Sequence, residues 1–148
     1  MRVAVDVLVE TVVQRPVAQV AAYAADPAMA PAWYENIKSA TWVSKPPLKV
    51  GSQFRFTAHF LGKVLTYTYE AVEYEPGRRL VTRTAEGPFP METTYTWDAV
   101  GAGATRMTLR NRGSPSGFSR LMAPMMRMAM RRATTKDLAR IKAILESS

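Results

Sequence analysis

The sequence predicts an α+β fold, in which an antiparallel sheet of seven strands has one apolar face to cover and a long C-terminal helix is the element able to cover it. Two patterns carry this reading. Seven segments alternate apolar and polar residues at the period of two expected of half-buried strands, and Pro or Gly punctuates most of the breaks between them. From Met122, steps of four and three residues then reach Met126, Met130, Ala133, Asp137, Ile141 and Ile144. That row keeps to one face of a helix.

The first strand alternates Val3, Val5, Val7, Val9, Thr11 and Val13 with Ala4, Asp6, Leu8 and Glu10. Arg15-Pro16 stops it, and Pro16 suits the first turn of a short helix whose apolar face is Val17, Val20, Ala21 and Ala24. Asp26-Pro27 closes that helix. A second short helix over Met29 to Glu35 carries Trp33 and Tyr34, so two short helices separate the first strand from the second, Ile37 to Ser44. Lys45-Pro46-Pro47 ends the second strand, because neither proline can donate to a ladder.

In the third strand Phe54, Phe56, Ala58 and Phe60 share one face and Arg55, Thr57, His59 and Leu61 the other, which makes the aromatic face the inner one. Leu61-Gly62-Lys63 turns the chain into a fourth strand, Val64 to Glu75, with Tyr67, Tyr69 and Ala71 opposite Thr66, Thr68, Glu70 and Val72. Alternation alone leaves its inner face open. The remaining strands are Leu80 to Glu86, Met91 to Ala99 with Met91, Thr93, Tyr95 and Trp97 on one side, and Thr105 to Arg112 with Met107 and Leu109 on one side. Strands at hairpin spacing imply an antiparallel sheet that needs an apolar cover.

The linker Gly113 to Gly117 leads into the final helix, with Ser114 as a candidate cap. A helix from Phe118 to Glu146 would be about 43 Å long at 1.5 Å per residue, so the sheet should curl along it. A second row, Leu121, Met125 and Met128, widens the apolar surface of its first half, which is therefore expected to be the more deeply buried. Pro124 either kinks this helix or begins it, and we take the kink as the expected arrangement.

The chain of 148 residues is 47% hydrophobic and 22% charged, the size and balance of a single domain spanning residues 1–148. It has no cysteine, which excludes disulfides, thiolate metal sites and cysteine nucleophiles. No stretch has the length of a membrane span and no leader precedes the first strand, so the cytoplasm is the expected location. The net charge is +8. Residues 114–148 hold seven Lys/Arg against two acids, so most of the excess belongs to the outer face of the last helix. A solvated face is the simpler reading; docking of that face to anionic membrane or RNA is the competing one.

The order of elements resembles the helix-grip fold of the START/Bet v 1-like (SRPBCC) superfamily. The local phrases Arg15-Pro16-Val17 with Val20, Asp26-Pro27 with Pro31 and Trp33, Val50-Gly51-Ser52, Glu73-Tyr74-Glu75-Pro76 with Arg79-Leu80, and Gly103 with Thr105 are similar to its bacterial polyketide cyclase/dehydrase-like branch. The resemblance implies a curved sheet gripping the last helix around a cavity for a lipid, polyketide or other apolar molecule. Some members catalyse cyclisation or dehydration there, and others bind or carry.

No catalytic constellation stands out. His59 is the only histidine and sits on the strand face opposite the phenylalanines, as a surface residue would. Phosphate loops, nucleophile elbows and metalloprotease motifs are absent, and no metal or cofactor is expected. If the protein is an enzyme, the resemblance implies the cyclase/dehydratase type, in which aromatase/cyclase relatives use arginine, tyrosine and hydroxyl groups lining the cavity, so Tyr67, Tyr69, Tyr95 and Arg83 are the groups to inspect. Asp137 lies on the apolar row, and we place it at the helix edge, paired with Lys136 or Arg140. Met122, Met125, Met126 and Met130 either fill the core or form an adaptable cavity wall.

The expected ligand-binding set is Trp33, Phe54, Phe56, Tyr67, Tyr69, Phe89, Tyr95, Trp97, Met122, Met125, Met126 and Met130. The expected partner is an apolar or amphipathic small molecule. Nucleic acid is not expected, and the protein is read as a monomer or homodimer that could still touch a membrane peripherally.

Overall fold

The computed structural model describes residues 5–60, 62–87, 90–114 and 122–148. Strand β1 (Val5–Val13) is followed by α1 (Val17–Ala25), a 3₁₀ turn over Pro27–Met29, and α2 (Ala30–Trp33). Six strands come next: β2 (Ile37–Trp42), β3 (Gln53–Phe60), β4 (Lys63–Glu75), β5 (Arg79–Glu86), β6 (Met91–Val100) and β7 (Ala104–Gly113). The chain ends in α3 (Ala123–Glu146).

The strands form one antiparallel sheet in the order β1-β7-β6-β5-β4-β3-β2, which curls around α3 as a helix-grip fold. Its two ends are the first two strands of the chain, because α1 and α2 carry the chain from one edge to the other. The β3–β4 register places Phe54 opposite Tyr69, Phe56 opposite Tyr67 and Ala58 opposite Leu65. Since opposed residues share a face, the tyrosine face of β4 is the inner one, and Ala71 on the same face is fully buried.

The main core joins Val13, Val20, Leu80, Trp97, Met107 and Leu109 to Leu138, Ile141 and Leu145 of α3. This reverses the expected depth of the two halves of that helix. Its buried residues are Met126, Thr134, Asp137, Leu138, Ile141 and Leu145, which fall mostly in the second half. Met125 and Met128 are 63% and 68% exposed. Residue type misled because Met125 and Met128 stand on a side of the helix turned to solvent, whereas Leu138, Ile141 and Leu145 meet the main core.

The second half is also tied down by polar contacts. Nη2 of Arg15 donates to the carbonyls of Glu146 (2.7 Å) and Ser148 (3.0 Å), and the Gln14 N–H donates to the Glu146 carboxylate (2.8 Å). A guanidinium at a helix C-terminus satisfies carbonyls that have no partner inside the helix and complements its dipole. The other terminus differs from the expected kink. Pro124 falls in the first turn of α3, where a missing N–H removes no helical bond. Residues 115–121 lie outside the described residues, as do Val3, Ala4, Leu61 and Phe89. Ser114, the expected cap, does not cap α3: its N–H donates to the Pro90 carbonyl at 3.2 Å, and the residue at the helix N-terminus is Met122, which makes no side-chain cap hydrogen bond.

The reversal is measurable by urea denaturation. Ile141→Ala should lower the unfolding free energy by about 2–5 kcal/mol, the usual range for emptying a core site. Met125→Ala should change it by no more than about 0.5 kcal/mol, as for an exposed side chain. Equal losses would contradict the packing.

Candidate functional site

With the second half of α3 seated in the core, its first half leaves a space over the inner face of the sheet. Met126 packs on Val5 and Val7 of β1, at one edge. Phe54 and Phe56 form a separate aromatic cluster with Ala30 near the other edge, against which Tyr69 packs. Between them lies a cavity of about 140 Å³. Its apolar wall is Ile37, Ala58, Leu65, Tyr67, Tyr69 and Met91 from the sheet, with Met126, Met130 and Ala133 from α3.

Two glycines let this wall form. A Cβ on Gly87 would fall 2.6 Å from Cδ1 of Tyr67. One on Gly113 would meet the sulfur of Met91 and lie 2.8 Å from the Pro90 carbonyl oxygen. Both contacts are closer than carbon normally tolerates, so the absence of a side chain makes room for Tyr67 and Met91.

The polar part of the lining comes from Tyr34, Asn36, Asn111, Thr134 and Asp137. The 3₁₀ turn begins at Asp26, whose side chain accepts from the Ala28 N–H at 3.0 Å, and Pro27 and Pro31 occupy first turns. After one turn of α2 the backbone becomes extended at Tyr34 (φ −81°, ψ 123°). The next N–H, that of Glu35, then points at α3 and donates to Oδ1 of Asp137 at 2.8 Å.

Asp137 is therefore buried, at 4% exposure, and not paired at the helix edge. Lys136 instead approaches the Glu35 carboxylate at 4.0 Å. Burial pushes the Asp137 carboxyl up to about 7; the Glu35 N–H opposes this, the Glu35 carboxylate adds to it and Arg140 opposes it.

Beside it, the hydroxyls of Tyr34 and Tyr95 share a hydrogen bond of 2.9 Å. Burial raises both phenols, Tyr95 to about 12 and Tyr34 well above its ordinary value, so both are neutral hydrogen-bonding groups at physiological pH. Across the cavity, Asn111 accepts from the Thr93 hydroxyl (2.8 Å) and donates to the Thr134 hydroxyl (3.2 Å), linking β6, β7 and α3.

Of the residues expected from sequence, Tyr67, Tyr69, Met126 and Met130 line the cavity. Phe54, Phe56, Trp33, Tyr95 and Trp97 are buried in the surrounding core instead. Met122 and Met125 are exposed and do not line it, because the helix turns them outward. Arg83 is not in the cavity either; it pairs with Glu92 at 2.7 Å on the outer side of the sheet. His59 is exposed. The polar groups Tyr34, Asn36, Asn111 and Thr134 went unpredicted. Asn111 continues the alternation of Met107 and Leu109 and was readable from it, whereas Tyr34 and Asn36 take their places from a loop that has no periodicity. Among the described residues no cluster of three or more His, Cys, Asp or Glu side chains could hold a metal.

A family model described as polyketide cyclase/dehydrase and lipid transport matches residues 4–146. The chain belongs to this family. Among solved structures it is similar to the ZhuI aromatase/cyclase from Streptomyces sp. R1128, with 15% identity, a TM-score of 0.81, and coverage of 95% of this chain and 93% of that one. The protein TTHA0849 from Thermus thermophilus is similar at 20% identity, TM-score 0.82, and 97% and 99% coverage. A START superfamily protein from Mycobacterium smegmatis is similar at 16% identity, TM-score 0.78, and 96% and 94% coverage. A search of curated protein sequences finds no match. At these identities the structural likeness speaks for the family's fold. No helix among the described residues is long and apolar enough to cross a membrane.

The buried carboxyl makes stability depend on pH. The unfolded chain releases the Asp137 proton near 3.8, while the native protein holds it to about 7. This group's contribution to stability therefore falls as pH rises between those values, and the whole loss is present above about pH 7. Asp137→Asn keeps an oxygen for the Glu35 N–H and removes the titration. Stability curves of the two proteins from pH 4 to 8 should diverge across that window, the wild type losing ground as pH rises. A constant difference would contradict a buried, proton-holding Asp137.

Proposed function

We propose that the protein binds an apolar or amphipathic small molecule, a lipid, polyketide or similar compound, between the sheet and the first half of α3. The observation that carries this reading is the cavity of about 140 Å³ with a predominantly apolar wall. Pockets of this character, concave and mostly apolar with a few convergent polar groups, are the usual form of small-molecule sites. Its volume is close to that of the roughly 150 Å³ apolar cavity that accepts one benzene ring, so the buried part of the ligand is about one ring or a short chain segment. Tyr67 and Tyr69 contact it from the sheet, and Met126 and Met130 close over it with unbranched, adaptable side chains. The family's description, which joins cyclase/dehydrase and lipid transport proteins, agrees with a site of this kind.

A second reading, an enzyme of the polyketide cyclase/dehydratase type in the same cavity, is favoured by one feature. Asp137, pushed up to about 7, is placed on the proton-transfer scale where an acid or base works best near neutral pH. The likeness to an aromatase/cyclase is consistent with it. A turnover assay with a poly-β-ketone comparing wild type with Asp137→Asn separates the two: turnover by the wild type that is lost in Asp137→Asn supports the enzyme, and no turnover by the wild type above the uncatalysed rate leaves a binding protein.

The binding reading is tested by filling the space. Ala133→Trp projects an indole from α3 into the cavity and should abolish binding of an uncharged apolar dye such as Nile red, with the thermal unfolding transition still cooperative. Undiminished dye binding by a folded Ala133→Trp protein would place the site elsewhere.

A further inference from the structure

The cavity lining is asymmetric in its charge. Its residues include no lysine, arginine or histidine, and the one ionisable acid is Asp137. Oδ1 of that carboxyl is held by the Glu35 N–H, and Oδ2 makes no hydrogen bond within the described residues. The hydroxyls of Tyr34 and Tyr95 lie in the same neighbourhood, and their shared bond uses one of their two protons. The opposite polar group, Asn111, is already engaged by Thr93 and Thr134. One end of an otherwise apolar space thus offers unused hydrogen-bonding capacity, and no cationic side chain lines it; Lys136 and Arg140 stand on the outer side of Asp137.

We infer that this end selects the ligand by charge: the site takes an uncharged ring compound bearing a hydroxyl or carbonyl oxygen, seated on Asp137 and Tyr34, and refuses the corresponding carboxylate. This rests on the binding function proposed above and names the ligand class. A hydroxyl can donate to Oδ2 or accept from the phenol, and therefore replaces the water it leaves behind. A carboxylate would enter an apolar space without a cation, beside a second carboxyl, and an unpaired buried charge is strongly unfavourable. A fatty-acid headgroup is excluded on the same ground. A ring with no oxygen leaves the polar end unmatched, and sites built around hydrogen bonds discriminate strongly against analogues that lack the partner.

Three probes of one shape test this: naphthalene, 2-naphthol and 2-naphthoate, with one ring in the cavity and the other reaching its open side. Affinities are measured with the intact protein by the probes' own fluorescence. At pH 8, 2-naphthol should bind at least ten-fold more tightly than 2-naphthoate and several-fold more tightly than naphthalene. In Tyr34→Phe the advantage of 2-naphthol over naphthalene should shrink. In Asp137→Asn the penalty on 2-naphthoate should shrink.

The penalty should also shrink between pH 8 and pH 6 in the wild type, as Asp137 takes up its proton. The charged groups around it are Glu35, from the loop after α2, and Lys136 and Arg140 on α3; the facing phenols Tyr34 and Tyr95 stay neutral over this range. If 2-naphthoate binds as well as 2-naphthol, or naphthalene binds as well as 2-naphthol, the selection is overturned while the cavity stands as a binding site. If none of the three binds, the binding function itself falls and this inference with it.

Discussion

The packing of Leu138, Ile141 and Leu145 into the concave face of the sheet is the constraint from which the site follows. A curled sheet has more inner surface than one helix can cover, and a rigid helix fixed at one end cannot settle evenly over all of it. Here the fixed end is the C-terminal one, where apolar burial acts together with Arg15, whose guanidinium holds the last carbonyls of the helix. The first half is then left spanning the sheet and touching β1 through Met126. Voids of this size are unfavourable in a protein built only for stability. Their persistence beside glycines that make room for the wall, at 87 and 113, is what a site built for an occupant would show.

The polar groups in this apolar region are not scattered. They form two ties between the helix and its surroundings, one from Glu35 to Asp137 and one from Thr93 through Asn111 to Thr134. Buried hydrogen bonds are net stabilising by only about 0.5–1.5 kcal/mol each, but a buried group left without its partner costs more than that. The ties therefore specify position more than they add stability. They hold the middle of α3 at a set height over the sheet while leaving the space between them open. Tyr34 and Tyr95 join the end of the first tie, so the loop after α2 both holds the helix and shapes the polar end of the cavity.

The strands were legible because a half-buried sheet writes its exposure directly into a period of two. Each one was bounded to within a residue or two apart from the start of β1, and the aromatic face of β3 was read correctly from Phe54 and Phe56. Helix depth was not legible, since a 3.6-residue row shows that a face is apolar without showing what it meets. Met125 and Ile141 look alike in sequence and differ entirely in burial. Asp137 failed for a related reason. Its partner is a backbone N–H released where α2 gives way to extended chain, and a main-chain donor leaves no mark in the side-chain pattern. The lining groups of β4 and α3 could be listed from residue type, but their separation from core aromatics such as Phe54 and Trp97 depends on the curl of the sheet.

The same geometry separates what the protein attracts from what the site can hold. The excess positive charge is concentrated on α3, where Arg127, Arg131, Arg132, Lys136 and Arg140 are exposed. An anion approaching that face feels a favourable field, reduced over a screening length of about 8 Å at physiological salt. Inside, the helix presents Met126, Met130, Ala133 and Thr134 to the cavity, and its cations do not line that space. Exposed cations remain hydrated by staying on the outer face, so they supply no hydrogen bond to a buried anion. Surface charge can hasten an encounter without contributing to the bound state. A charge count over the whole sequence consequently says little about the ligand, and the single carboxyl of Asp137 says more, because it is the ionisable acid in the wall of the space the ligand must enter.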